Sequence, residues 1–404
     1  MSGGSPSGLG APARSARMLR FAAFAAGVMA LGACSNMGGT FDTAGGPPTP
    51  QPTQAPPVAN IGTGQVKVGL ILPLSAQGNA GTAAQSMKNA AELALAEFNN
   101  PNIQLLVKDD AGNAQVAQQM AQQAIDEGAE LLIGPLFAQA VPSVASVARG
   151  RGVPVIAFSN DANVASRGVY LLSFLPESDV TRIVDYATQN GKRSFAALLP
   201  DNAYGAVVEA AFQQAVARRG GRVVALERYS ADPQRMQDAT KRIAAGARGI
   251  DAIFLPSDEA PALVSTLQAN AVNTKRVQLL GSGLWDDPRI STNAILNGGW
   301  YPAPETAGWR SFAGRYRARY GGDPVRTATF AYDAVALVAA LVKTQGAQRF
   351  SEQVLTNASG FAGIDGVFRF RADGTNERGL AVMRATPSGG QAISPAPKSF
   401  GSGT

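Results

Sequence analysis

The sequence predicts an α/β protein of two lobes, each built on a parallel central sheet. Three observations carry this. Strand-like apolar runs alternate with helical patterns from residue 65 to residue 386, which implies βαβ units whose sheets are covered by helices on both faces. The alternation restarts after Pro176, giving two successive blocks of similar build. The stretch is also longer than one hydrophobic core organises, since chains beyond about 250–300 residues divide into domains.

The elements follow in order. Val66–Leu72 is an apolar run closed by Pro73 and reads as a buried strand. Residues 83–99 carry Ala90, Ala91, Leu93, Ala94 and Phe98 at helical spacing. Ile103–Val107 (strand), Gln115–Glu127 (helix stopped by Gly128), Leu131–Ile133 (strand), Val141–Arg149 (helix) and Val153–Ala157 (strand) complete the first block. The second runs through helix 179–189, strand 195–199, helix 203–219, strand 223–226, helix 233–245, strand 250–255, helix 260–271 and strand 277–280. Two strong helices, 305–320 and 328–342, and a short strand, 366–370, are too few to bury a core alone. They are expected to complete the two lobes by crossing back. The cleft between such lobes is the default small-ligand site.

The amino end reads differently. Arg14, Arg17 and Arg20 precede an uncharged run, Phe21–Leu31, followed by Gly32, Ala33 and the only cysteine, Cys34. A basic flank, a short apolar core and small residues before a cut make a secretory signal, and the run is too short to span a bilayer. It resembles the lipobox of bacterial lipoproteins, with Cys34 as the lipidated residue; an ordinary signal followed by a buried cysteine is the alternative. Residues 1–33 form the expected signal peptide, with Met18 a second candidate start. Residues 34–64, with Pro47-Pro48-Thr49-Pro50-Gln51-Pro52 and Pro56-Pro57, are the expected linker, extended and semi-rigid. Residues 387–404, rich in Gly, Ser and Pro, are the expected disordered tail.

Composition excludes much chemistry. There is no histidine, and Cys34 is spoken for. The usual His/Cys zinc sites, His-activated nucleophiles and haem ligation are therefore out. No Walker loop or G-x-G-x-x-G appears. No cofactor, metal site or catalytic residue is expected, and the protein is not expected to be an enzyme. The formal charge of +6 falls to +3 once the three arginines of residues 1–33 are removed (6 − 3). No basic stripe with interleaved aromatics points to nucleic acid.

Ligands of open α/β sheets sit beyond the carboxyl ends of strands. Those ends supply the candidates. Ser75 lies in the first loop, Asn160 and Asp161 follow the fourth strand, and Tyr204 opens a helix of the second lobe. Ser257 and Asp258 follow a later strand, and Trp285 the last. Each has a plainer reading: Asn160 and Asp161 as a turn or cap, Tyr204 and Trp285 as packing residues, Asp258 as a helix N-terminal charge.

The order of motifs carries a resemblance. Lys67–Ser75, the 90–99 helix, Lys108-Asp109-Asp110, Ile133-Gly134-Pro135, Gly152–Ile156, Asp201–Gly205, Tyr320–Pro324 and Ala331–Ala334 together resemble the leucine/isoleucine/valine-binding type of periplasmic solute-binding protein, over about residues 65–385. The resemblance implies two Rossmann-like lobes joined by three crossovers, closing on a small ligand. It places the crossovers near Leu175-Pro176, Gly299-Trp300 and Ile364-Asp365. Lobe one is then 65–175 plus 300–364, and lobe two 176–299 plus 365–386.

In this family hydroxyls and amides beyond the third and fourth strands hold a ligand carboxylate. That points to Phe137, Ala138 and Asp161 here, where Ala138 and Asp161 stand in place of hydroxyls. The implied ligand is an amino-acid or amide-like solute, and the implied partner an inner-membrane ABC permease. The chain is also similar to lipoproteins that activate penicillin-binding proteins, whose partner is a peptidoglycan synthase. Ser35 after Cys34 is the residue that permits sorting to the outer membrane, so the expected place is the periplasm, lipid-anchored.

Overall fold

The computed structural model describes residues 59–99 and 101–401. The expected signal peptide, Cys34, Ser35 and most of the linker lie outside the described residues. The chain opens with β1 (Val66–Leu72), α1 (Asn79–Glu97), β2 (Ile103–Asp109), α2 (Ala114–Asp126), β3 (Ala129–Ile133), α3 (Val141–Gly150), β4 (Val155–Ala157) and β5 (Val169–Leu171). These strands form one wholly parallel sheet in the order β2-β1-β3-β4-β5.

The second block comprises α4 (Pro176–Gln189), β6 (Ser194–Pro200), α5 (Ala203–Arg218), β7 (Arg222–Tyr229), α6 (Pro233–Ala245), β8 (Ala252–Phe254), α7 (Ala260–Ala269), β9 (Gln278–Leu280), α8 (Pro288–Ser291) and β10 (Trp300–Ala303). The chain then returns with α9 (Thr306–Tyr320), α10 (Ala328–Thr344), α11 (Glu352–Leu355), β11 (Phe361–Gly363), β12 (Gly366–Phe370) and β13 (Asn376–Arg378). It ends with β14 (Ala381–Thr386) and β15 (Gly389–Ser394). The second sheet runs β15-β14-β10-β9-β8-β6-β7, antiparallel only at β14 and β15.

Strand alternation puts successive side chains on opposite faces, and both faces of each sheet are buried. Val68, Leu70 and Leu72 meet Met87 and Ala91 of α1 and Ala334 and Val338 of α10. Ile71, Leu106 and Leu132 meet α2 and α3 through Ala121, Ala124 and Val144. Sheet two is covered the same way, by α6 and α7 on one face and α4 and α5 on the other. Each fully buried Leu, Ile or Val of these strands contributes about 1.5–3 kcal/mol. Side-chain caps start several helices: Asn113 Oδ1 accepts from Gln115 N and Val116 N, and Asp232 Oδ1 accepts from Arg235 N.

The structure moves the expected boundaries. Trp300–Ala303 pairs with β9 and β14, so it belongs to lobe two; the return to lobe one comes after Ala303. Tyr301 is fully buried against Trp285, which holds the strand there. Strand β12, expected in lobe two, packs on lobe one: Phe370 lies 5.3 Å from Tyr170, and Leu171 N donates to Gly374 O. The last crossover is therefore between Arg378 and Ala381. Within the expected disordered tail, Gly389–Ser394 is a strand hydrogen-bonded to β14, because an edge strand needs only backbone pairing. At the other end, Ile61 of the expected linker exchanges backbone hydrogen bonds with Leu105.

Candidate functional site

Both parallel sheets reverse their order of addition, at β1/β3 in lobe one and at β6/β8 in lobe two. Crevices open at the carboxyl ends of such switch points. Ser75, Phe137 and Ala138 stand at the first, and Tyr204, Ser257 and Asp258 at the second.

In lobe one, exposed Ser75 donates its N–H to Asp109 Oδ1 at 3.2 Å. Phe137 and Ala138 are half-buried in the turn leading to α3. A methyl on Gly112 would lie 3.3 Å from the Phe137 ring and 3.9 Å from Ala76 Cβ, so the turns after β1, β2 and β3 meet there. Asn160 is exposed. Asp161 is half-buried and accepts Asn163 N at 3.0 Å, the turn role that its sequence also allowed.

In lobe two, Asn202 caps α5 and Tyr204 donates to Ser282 Oγ at 3.1 Å, tying the turn after β6 to that after β9. Burial pushes the Tyr204 phenol upward. Ser257 is buried, with Tyr229 OH 2.7 Å from its Oγ and from Glu259 Oε2, while Asp258 is exposed. Trp285, expected to wall the cleft, is a core residue: it is fully buried and donates Nε1–H to Leu255 O at 3.0 Å. Gly281 makes this possible, since a methyl there would stand 2.2 Å from the indole.

Sequence reasoning missed a charged group at the crossovers. Asp365 is 0 % exposed at its side chain, pairs with Arg326 at 2.6 Å and accepts from Thr329 Oγ1 at 2.6 Å. The Arg326 guanidinium lies over Phe174 and Trp309. Arg378 is buried, donates Nε–H to Ser173 O, and leaves both terminal nitrogens without a protein partner. Asp333 accepts Ile364 N at 2.8 Å and leaves Oδ2 without one. These residues are far apart in sequence and meet only through the tertiary fold.

The two carboxyl edges face each other. Asp286 of lobe two is pushed up to about 6 by burial, with Arg326 of lobe one drawing it down and Asp365 of lobe one raising it. Glu177, at the start of α4, is raised by burial and by Asp161 across the cleft. Asp179, beside it, is pushed up to about 7 by burial although Gly283 N donates to it at 2.9 Å. In the turns leaving β1–β9, through the first turn of α4, stand Asp110, Asp161, Glu177, Asp179, Asp201, Asp232, Asp258, Glu259, Asp286 and Asp287, against Arg167 just before β5; Asp287 is paired with Arg289 of α8, and Asp201 with Arg228 near the end of β7. Among the described residues no cluster of three potential ligands could hold a metal ion, and no helix is long and apolar enough to cross a membrane.

A cavity of about 280 Å³ lies elsewhere, lined by Arg149, Val153, Arg167, Tyr170 and Glu352 at the amino ends of β4 and β5. We place the site at the cleft, because the turns that carry positioned polar groups converge there.

A family model described as periplasmic binding protein matches residues 65–391. No protein of curated function matches the chain in sequence. Among solved structures, an ABC transporter substrate-binding protein from Sphaerobacter thermophilus aligns with a TM-score of 0.65 at 20 % identity, over 83 % of this chain and 98 % of its own. One from Desulfitobacterium hafniense, in complex with Leu, gives 0.61 at 17 %, over 81 % and 99 %. A solute-binding protein from R. palustris, in complex with benzoate, gives 0.57 at 20 %, over 83 % and 98 %.

Proposed function

The chain belongs to the periplasmic binding protein family, and from that premise we propose that it holds a small solute, amino-acid or amide-like, between its lobes for ABC-type uptake or sensing. The family is one of binding proteins rather than enzymes, and the fold is the type I periplasmic-binding fold. One observation carries the reading: polar groups of both sheets' carboxyl edges are brought across a common cleft, with Asp286 feeling Arg326 and Glu177 feeling Asp161. Structural relatives are known in complex with Leu and with benzoate, small solutes of which only the first carries an amino group. The acidic edges favour a ligand that presents an amino group over one that presents only a carboxylate, which Asp161 would repel. Ser75, Phe137, Ala138, Asn160, Asp161, Tyr204, Ser257 and Asp258 are the proposed contacts.

Thermal unfolding against amino acids, amides, aromatic acids and wall fragments tests this. A ligand at about 100 times its Kd adds roughly 2.7 kcal/mol, and Tyr204→Ala should abolish that shift, its own ligand-free midpoint lying below the parent's because the packed ring and the Ser282 bond are lost. A flat panel would count against solute binding and favour contact with a peptidoglycan synthase. We also propose that Cys34 carries lipid and tethers the protein on the periplasmic side. Cys34→Ala should then move the protein from the membrane to the soluble fraction of cells; unchanged membrane recovery would sink the tether.

A further inference from the structure

We propose that residues 395–400 form a strap that joins the lobes a fourth time and limits how far they swing apart. The chain leaves sheet two at Ser394, whose Oγ accepts Arg182 Nη2 at 2.8 Å. Ala396 packs on the lobe-two core and donates its N–H at 3.1 Å to Glu305 Oε1, in the second crossover. Pro397 lies against the third: a methyl on Gly379 would stand 2.9 Å from Pro397 Cγ. Phe400 then reaches lobe one. The Arg369 guanidinium carbon stands 4.6 Å from its ring centre, and a methyl on Gly360 would be 2.8 Å from Cδ2. Arg369 is itself fixed by Glu377 and by Ala358 O.

The segment thus touches both lobes and two of the three crossovers, and two glycines leave the room it occupies. Hinge closure is absorbed by a few residues between rigid bodies. A segment anchored at both ends adds a length limit to that motion, because each residue reaches at most about 3.3–3.6 Å. Pro395 and Pro397 stiffen it further, each with φ locked. Opening that carries Arg369 away from Arg182 must straighten the segment or pull Phe400 off its seat.

The test uses the full chain carrying Cys34→Ser, with spin labels on cysteines placed at Gln119 and Gln214, exposed positions on α2 and α5. Distances are read by double electron–electron resonance. Phe400→Ala should broaden the distribution toward longer distances, and a chain ending at Pro395 should broaden it at least as much. Phe400 is only half-buried at the surface, so its loss leaves both lobe cores intact. A distribution that is unchanged or narrower in both variants would overturn the strap.

Discussion

Asp333 concentrates the charge problem of this fold in one side chain. It sits on α10, 2 % exposed, with Asp365 close by and Arg378 and Arg326 as the facing cations. Burial pushes its carboxyl up to about 7, Asp365 adds to that, and Arg378, the Ile364 N–H and Arg326 oppose it. The ordinary value is near 3.8. The folded state therefore holds a proton that the unfolded state has released, so stability falls as pH rises from about 4 through about 7. The limit is about 1.4 kcal/mol per pH unit for one whole proton. Asp333→Asn keeps the Oδ1 acceptor for Ile364 and removes the titration. Its denaturant midpoint should fall less between about pH 5 and about pH 8 than the parent's; equal falls would mean that Asp333 does not titrate in this range. Asp110, Asp179 and Asp286, raised for the same reason, leave part of the slope in place. None of this was legible in the sequence, because Arg326, Asp333, Asp365 and Arg378 pair through tertiary folding. By contrast, Ser75, Tyr204 and Asp258 were found, since a residue just after a buried parallel strand must lie on the carboxyl edge. Trp285 shows the limit of that rule: it occupies the right place in the chain but points into the core past Gly281.

At the scale of elements, legibility tracked the length and apolar continuity of each run. The strands Val66–Leu72 and Ser194–Pro200 are apolar on both faces, and their patterns stand out with no tertiary knowledge. The strands that were missed are short, interrupted or polar, although β5 and β10 are buried. Strand β10 contains Pro302, which argues against a strand within a sheet. It is accommodated because the neighbouring ladder to β9 is short, with only Trp300 paired to Leu280. Strand β5 spans only Val169–Leu171, and four of the six residues of β15 are Gly, Gln or Ser, on an edge of the sheet. Misplacing β10 and β12 shifted two expected crossovers by a few residues in one case and about fifteen in the other. The α1–α10 contact, by contrast, follows from alanines at helical spacing on both helices, Ala91 and Ala94 against Ala331 and Ala334.

For the whole molecule, the separation of the lobes should itself depend on pH. Charged groups face each other across the cleft: Asp286 of lobe two with Arg326 and Asp365 of lobe one, and Glu177 with Asp161. Like charges facing across a gap of molecular size repel, and at about 0.1 M salt the Debye length of about 10 Å leaves much of that repulsion in force. Falling pH protonates Asp286 (about 6), which removes its repulsion from Asp365 of lobe one. One term opposes this: Asp286 also attracts Arg326, and protonation forfeits that attraction. Of the two, the attraction to Arg326 is the larger, so acid weakens the net hold of the lobes on each other. The ligand-free protein, labelled at Gln119 and Gln214, should therefore show a longer mean distance at about pH 5 than at about pH 8. At about 1 M salt, where the Debye length is about 3 Å, the difference should shrink. A distance that shortens on acidification, or a difference indifferent to salt, would mean that the crossovers rather than the charged edges set the resting separation.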